Sequence, residues 1–209
     1  MKFADLLEII GEESVFSSSL LLAGRRDSND VRRQLSRWVK DGKLVQLRRS
    51  FYMLPDLYRK KAAHPFLLAT RMKAASYVSL QSALAYYGLI PEYVPVVTSV
   101  TTGRPETLNT PVGTFAFGHI KGGFFSGYSS LSLPNGQSAF VALPEKALLD
   151  LIYLTPDGDN PDYLRGLRLQ NLDRLDMVRL KTFAKGRAKL ERAAEQIAGL
   201  FNEEEHVEL

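Results

Sequence analysis

Apolar positions near the amino terminus fall at helical spacing. Phe3, Leu6, Leu7 and Ile10 stand at i, i+3, i+4 and i+7, which predicts a helix over residues 2–10 that Gly11 closes. Ser17, Ser18 and Ser19 can cap a short second helix through Leu20, Leu21, Leu22 and Ala23, ended by Gly24. Val31, Leu35, Trp38 and Val39 then gather within about a quarter-turn of a third helix. Asn29, Arg33, Ser36, Arg37 and Lys40 take the opposite face, with Arg32 on the flank. Trp38 belongs to the apolar side and therefore to a core. Asp27 or Ser28 is the expected N-cap, with Asp30 as a capping-box partner, and Asp41-Gly42 the expected end. Two short β-prone runs follow, 43–47 and 51–54, joined by Arg48-Arg49-Ser50 and stopped by Pro55. Three small helices followed by a hairpin predict a winged helix-turn-helix over residues 1–56, with two arginines at the wing tip.

The pattern changes beyond residue 56. Residues 56–76 read as a connecting helix interrupted at Pro65, and 79–88 as a second helix between Ser79 and Gly88. Strand-like runs lie at 94–101, 114–120, 128–133 and 138–141. The last two flank Pro134-Asn135-Gly136-Gln137, a hairpin signal. Pro144 begins a very apolar helix, PEKALLDLIYL. Residues 155–161 form a polar loop, and two further helices are expected at about 172–183 and 188–202, the latter with Leu190, Ala194, Ile197 and Phe201 as its stripe. The fold class is therefore α+β: the winged helix, then a second domain over 57–209 with a small, mainly antiparallel sheet and carboxy-terminal helices.

Charge sharpens the reading of the first part. Residues 25–49 hold nine Lys or Arg and three acids, a net charge of +6, whereas the whole chain of 209 residues carries +4. The excess falls from +5 over residues 1–61 to +1 over 62–155 and −2 over 156–209. Basic charge on the exposed face of a helix suits a nucleic-acid partner. Asn29, Arg33, Ser36 and Arg37 can read base edges in the major groove, while Arg32 and Lys40 flank them. Lys43, Arg48 and Arg49 can anchor the wing, and Arg25 and Arg26 can tether phosphates. One such unit covers a small site, so double-stranded operator DNA with an inverted repeat is the expected partner.

Composition excludes other classes. The hydrophobic share of 45% suits a packed chain. There is no cysteine, hence no disulfide or thiolate metal site. No apolar run approaches a membrane span of about 20 residues, and MKFADLLEIIGEE lacks a signal peptide's plan, so a cytoplasmic location is expected.

Four blocks carry a family resemblance: VRRQLSRWVKDGKLVQLRRSFYML, YVSLQSALAYYGLIPE, VTSVTTGRPETLNTPVGTFAFGHI and ALPEKALLDLIYL. In this order the chain resembles the antitoxins of the AbiE abortive-infection, type IV toxin–antitoxin systems. The resemblance covers most of residues 1–155. It implies a winged helix that binds inverted repeats upstream of its own operon and represses it. It also implies a second domain that counteracts a nucleotidyltransferase toxin, with direct contact not required. It departs at Ser50, where the family's wing carries glycine and where serine pays a steric cost for positive φ. Arg179, Lys181, Lys185 and Arg187, basic residues near the last helices, are candidates for the antitoxin surface. The alternative is a winged-helix regulator whose second domain binds a ligand or oligomerises, with no toxin.

No catalytic signature emerges, and no enzyme, cofactor or metal is expected. Glu145, Lys146 and Asp150 share a helix, and Lys146 and Asp150 read as a surface i, i+4 pair. His64, His119 and His206 stand apart from other ligands. Gly122-Gly123 reads as a loop, and Thr101-Thr102-Gly103-Arg104 as a turn between strands, where Arg104 could meet an anion or nucleic acid.

Overall fold

The computed structural model describes residues 1–22 and 28–207, the side chains at 28 and 200–207 excepted. Ala23, Gly24, Arg25, Arg26 and Asp27, with the side chains of Ser28, Phe201 and His206, lie outside the described residues.

The amino-terminal part comprises α1 (Phe3–Ile10), β1 (Val15–Ser17), α2 (Ser19–Leu22), α3 (Ser28–Lys40), β2 (Val45–Arg48) and β3 (Phe51–Met53). Gly11 ends α1 at φ +65°, donating its N–H to the Leu7 carbonyl. α3 ends at Gly42 (φ +70°), whose N–H reaches the Val39 carbonyl while Lys43 N–H reaches that of Trp38. Leu6, Ile10, Val31, Leu35 and Trp38 pack into one core, with the Phe3 ring edge-on to Trp38 at 5.3 Å between centroids. Both expected hairpin strands are present. Val15-Phe16-Ser17 (β1) adds a third strand, unforeseen in the sequence, giving an antiparallel sheet in the order β1-β3-β2.

This small sheet is buried on both faces. Phe16, Tyr52 and Leu54 belong to the amino-terminal core, whereas Val15, Leu47, Phe51 and Met53 belong to the larger core of the rest of the chain. Successive residues of a strand point to opposite sides, so Phe51-Tyr52-Met53-Leu54 serves two cores in turn.

The remainder contains α4 (Pro65–Met72), β4 (Ser76–Val78), α5 (Leu80–Tyr86), β5 (Val96–Thr101), β6 (Glu106–Thr110), β7 (Gly113–His119), β8 (Tyr128–Leu133), β9 (Gln137–Ala142), α6 (Pro144–Leu154), α7 (Pro161–Gly166), α8 (Met177–Ala184) and α9 (Ala188–Val207). Its sheet runs β6-β7-β5-β4-β9-β8. The mixed α/β organisation is as expected, and three of the five strand pairings are antiparallel, but the sheet is mixed and larger than expected. Six strands take part, and β5–β7 and β4–β9 are parallel.

Two local readings are corrected by proline chemistry. Pro65 does not interrupt a helix but begins α4, where its missing N–H costs nothing, and His64 Nδ1 accepts the Phe66 N–H at 3.1 Å. Pro161 likewise starts α7, placing a helix where the sequence reading ended a loop. The Asn-Gly hairpin forms as expected, with Asn135 at φ +61° and Gly136 at φ +69° between Leu133 and Gln137. The expected 172–183 helix divides into a 3-10 turn (Leu172–Arg174) and α8, which Asp176 caps by accepting the Arg179 N–H. Helix α6 lies at the centre and packs against α5, α8 and α9.

Candidate nucleic-acid interface

Helix α3 separates its residues as its period requires. Val31, Leu35 and Trp38 are buried, and Asn29, Arg32, Arg33, Ser36, Arg37 and Lys40 are all exposed. An ion pair on this surface joins Arg33 Nη1 to Asp30 Oδ1 at 3.3 Å. Both partners are largely exposed, so the pair is weak and easily exchanged for a ligand. Lys43, just past the helix, is half-buried with Nζ 5.7 Å from the centre of the Phe3 ring.

At the hairpin the two arginines part. Arg49 is exposed at the tip beside Ser50, which adopts φ +66°. The chain thus makes the left-handed turn without glycine. Arg48 does not share the tip. Its Nη1 donates to the Met72 carbonyl at 2.6 Å and stands 3.6 Å from Glu106 Oε1. Lys73 donates to the same carboxylate oxygen at 2.6 Å and to the Arg104 carbonyl at 3.0 Å. The Lys73 hydrogen bond, opposed by desolvation and aided by the charges of Lys73 and Arg48, holds the Glu106 carboxyl below its usual range. This guanidinium, expected to anchor a wing on DNA, ties the β2–β3 hairpin to α4 and β6. Arg104 itself is exposed on the turn before β6.

The carboxy-terminal candidates also divide. Arg179 is held by Asp176 at 3.2 Å and Glu145 at 3.4 Å. Arg187 lies over the Phe124 ring at 4.3 Å and donates to the Gly123 carbonyl at 3.2 Å. Lys181 and Lys185 are exposed beside Val178, which is 77% exposed. The four therefore do not form one free basic surface. Gly122-Gly123 belongs to a 3-10 turn ending at Phe124. His119 Nδ1 lies 2.9 Å from the Gly103 carbonyl.

A buried polar network lies beneath. Lys146 and Asp150 form an ion pair with both residues fully buried, not the surface pair read from their spacing. Asp150 Oδ2 accepts from Ser79 Oγ at 2.7 Å and Tyr77 Oη at 3.0 Å. Lys146 Nζ also sits 3.5 Å from the Phe124 ring centre. Burial raises the Asp150 carboxyl against the opposing pull of Lys146 and the hydroxyls, and burial lowers the Lys146 ammonium. Burial, then the Asp150 charge, raises the Tyr77 hydroxyl. Glu145, also buried, accepts the Asp176 N–H at 2.8 Å. These contacts fasten α6 to β4 and α8. Tyr77 and Ser79 were missed in the sequence because nothing local links them to a carboxylate more than 70 positions away.

Among the described residues, no group of His, Cys, Asp or Glu is placed to hold a metal ion, and no helix is long and apolar enough to cross a membrane. No protein-family model and no curated protein matches the chain.

Proposed function

We propose that the chain is a winged-helix DNA-binding protein that represses its own operon and acts as the antitoxin of a type IV toxin–antitoxin pair. One observation carries the DNA half of this reading: a single helix buries its apolar stripe and turns Asn29, Arg32, Arg33, Ser36, Arg37 and Lys40 outward together. On duplex DNA the cations neutralise phosphates and release counterions, so affinity falls steeply with salt. Asn29, Arg33, Ser36 and Arg37 read base edges, Arg pairing bidentately with guanine and Asn with adenine. Arg49 and Lys43 support the wing on the backbone, and Arg48 acts indirectly by fixing the wing's position. The antitoxin half rests on the four resembling blocks. Its partner is a nucleotidyltransferase toxin, opposed through Lys181 and Lys185 on the exposed edge of α8 rather than through Arg179 and Arg187.

The test uses the full-length chain. Arg33→Ala with Arg37→Ala should abolish retardation of the DNA upstream of its own gene, while growth rescue against the adjacent nucleotidyltransferase gene persists. Unaltered retardation by the double variant sinks the DNA reading. Absence of rescue by the wild-type chain, with both proteins expressed, sinks the antitoxin reading.

A second reading has one observation in its favour. A cleft of about 430 Å³ is lined by His64, Phe66, Tyr86, Tyr93, Val97 and Phe115, among others. Such a cleft suits a regulator that answers to a small apolar ligand. That reading requires DNA binding to change on ligand addition and no toxicity rescue.

A further inference from the structure

We propose that the cleft between the wing tip and the end of α4 is a second DNA-phosphate contact, and that Arg71, from outside the winged-helix segment, is its principal cation. The inference rests on the DNA-binding reading above and extends the footprint beyond residues 1–56.

The cleft holds about 360 Å³, and Ser17, Arg48, Arg49, Ser50, Arg71 and Met72 are among the residues that line it. No acidic side chain lines it. Three guanidiniums surround it, but they are not equivalent. Arg48 spends its charge on Glu106 and its hydrogen bond on the Met72 carbonyl. That bond also takes up a carbonyl of the last turn of α4, whose partial negative charge would otherwise repel an anion. Arg49 and Arg71 are exposed, and neither side chain has an ion pair or hydrogen bond to the described residues. Two uncommitted guanidiniums are therefore held about one concave surface by a third that serves as the brace.

Shape and chemistry favour a backbone phosphate. Guanidinium binds phosphate oxygens bidentately. The Ser17 hydroxyl, on the same cleft, already meets Ser19 Oγ at 2.9 Å and supplies a neutral polar wall. A double-helical backbone presents phosphates at regular intervals. A protein whose α3 lies in the groove would bring one such phosphate to the wing, and Arg71 stands beside the wing through the brace. The contact carries no sequence information and acts by anchoring.

The experiment titrates full-length protein against a fluorescein-labelled 30-base-pair duplex by anisotropy, over a series of KCl concentrations. Both the DNA upstream of its gene and a scrambled duplex serve as probes. Arg71→Gln should weaken binding several-fold on both probes alike and reduce the slope of log affinity against log salt by about 0.9, the value for one lost phosphate contact. Arg71→Lys should keep the slope, and Arg168→Gln, at an exposed arginine elsewhere, should alter neither quantity. Unchanged affinity and slope for Arg71→Gln, with Arg33→Ala/Arg37→Ala weakened, overturns this inference alone. Failure of the wild-type chain to bind either duplex overturns the parent reading and this one with it. Loss of affinity for the upstream duplex only would also refute it, because a phosphate anchor cannot discriminate sequence. Competition by inorganic phosphate at millimolar concentration, equal for wild type and Arg71→Gln, would place any free-anion site elsewhere. Selective competition in the wild type supports the cleft.

Discussion

Replacing Asp150 by asparagine keeps the volume of the side chain and removes the charge that balances Lys146. The ammonium is then fully buried and without its counter-charge, with the Phe124 and Tyr77 rings near it and the charge of Arg187 opposing it. Breaking a buried pair from one side costs about 3–5 kcal/mol. For a chain of this length a loss of that size lowers Tm by about 6–20 °C, at roughly 2–4 °C per kcal/mol. The pH dependence gives the sharper test. Burial already lowers the Lys146 ammonium, and the charge of Asp150 opposes that shift. Without it, the folded-state pKa falls further below the unfolded value. Between those two values the unfolded chain binds the extra proton, so the stability of Asp150→Asn rises with pH and its deficit shrinks in alkali. Lys146→Met has the opposite sign. Its carboxyl, raised by burial and deprived of the lysine, is most stable protonated. The deficit of that variant shrinks in acid, where the folded state retains its proton. Urea unfolding at about pH 5.5, 7 and 9 measures both. A loss under about 1 kcal/mol, or deficits that move in the same direction with pH, would refute the argument that the pair is ionised and buried.

Two further outcomes follow from the β2–β3 hairpin. Ser50→Gly relieves a serine at φ +66° on an exposed turn, so thermal unfolding should show a gain of up to about 1 kcal/mol, and a loss would mean that the side chain has a role of its own. Met53→Ala removes a buried side chain from the face of the small sheet that joins the larger core, and should cost about 2–5 kcal/mol by denaturant unfolding.

What was legible in the sequence was what has a period. The stripes of α1 and α3 follow from single buried faces, and the exposed residues of α3 follow by subtraction. Strands β1 and β4 have three residues each and are too short to show alternation. Strand β6, Glu106–Thr110, sits at the sheet edge with half-buried residues and no apolar run to announce it. The Lys146–Asp150 spacing is the same on a surface as in a core, so the spacing alone could not place it. Its surroundings could have. PEKALLDLIYL is apolar on every side, and a helix of that kind is enclosed. The diversion of Arg48 had no local signal, because its partners are Met72 and Glu106.

The double-sided burial of the small sheet decides how the two parts of the protein can be separated by experiment. Phe51-Tyr52-Met53-Leu54 is a continuous apolar run, the pattern of a strand covered on both faces. One face completes the core that supports α3, and the other completes the core that contains α4, β4 and α6. Arg48 adds a hydrogen bond and an ion pair across the same junction. The β2–β3 hairpin is thus part of the wall of the second core rather than an appendage. Cutting the chain near residue 56 would remove Val15, Leu47, Phe51 and Met53 from that core and leave the apolar surface they cover in water. A truncated second half would then fail for want of folding, whatever its chemistry. Substitution on the outward face of α3, where Arg33 and Arg37 are exposed, tests the proposed DNA binding without opening either core.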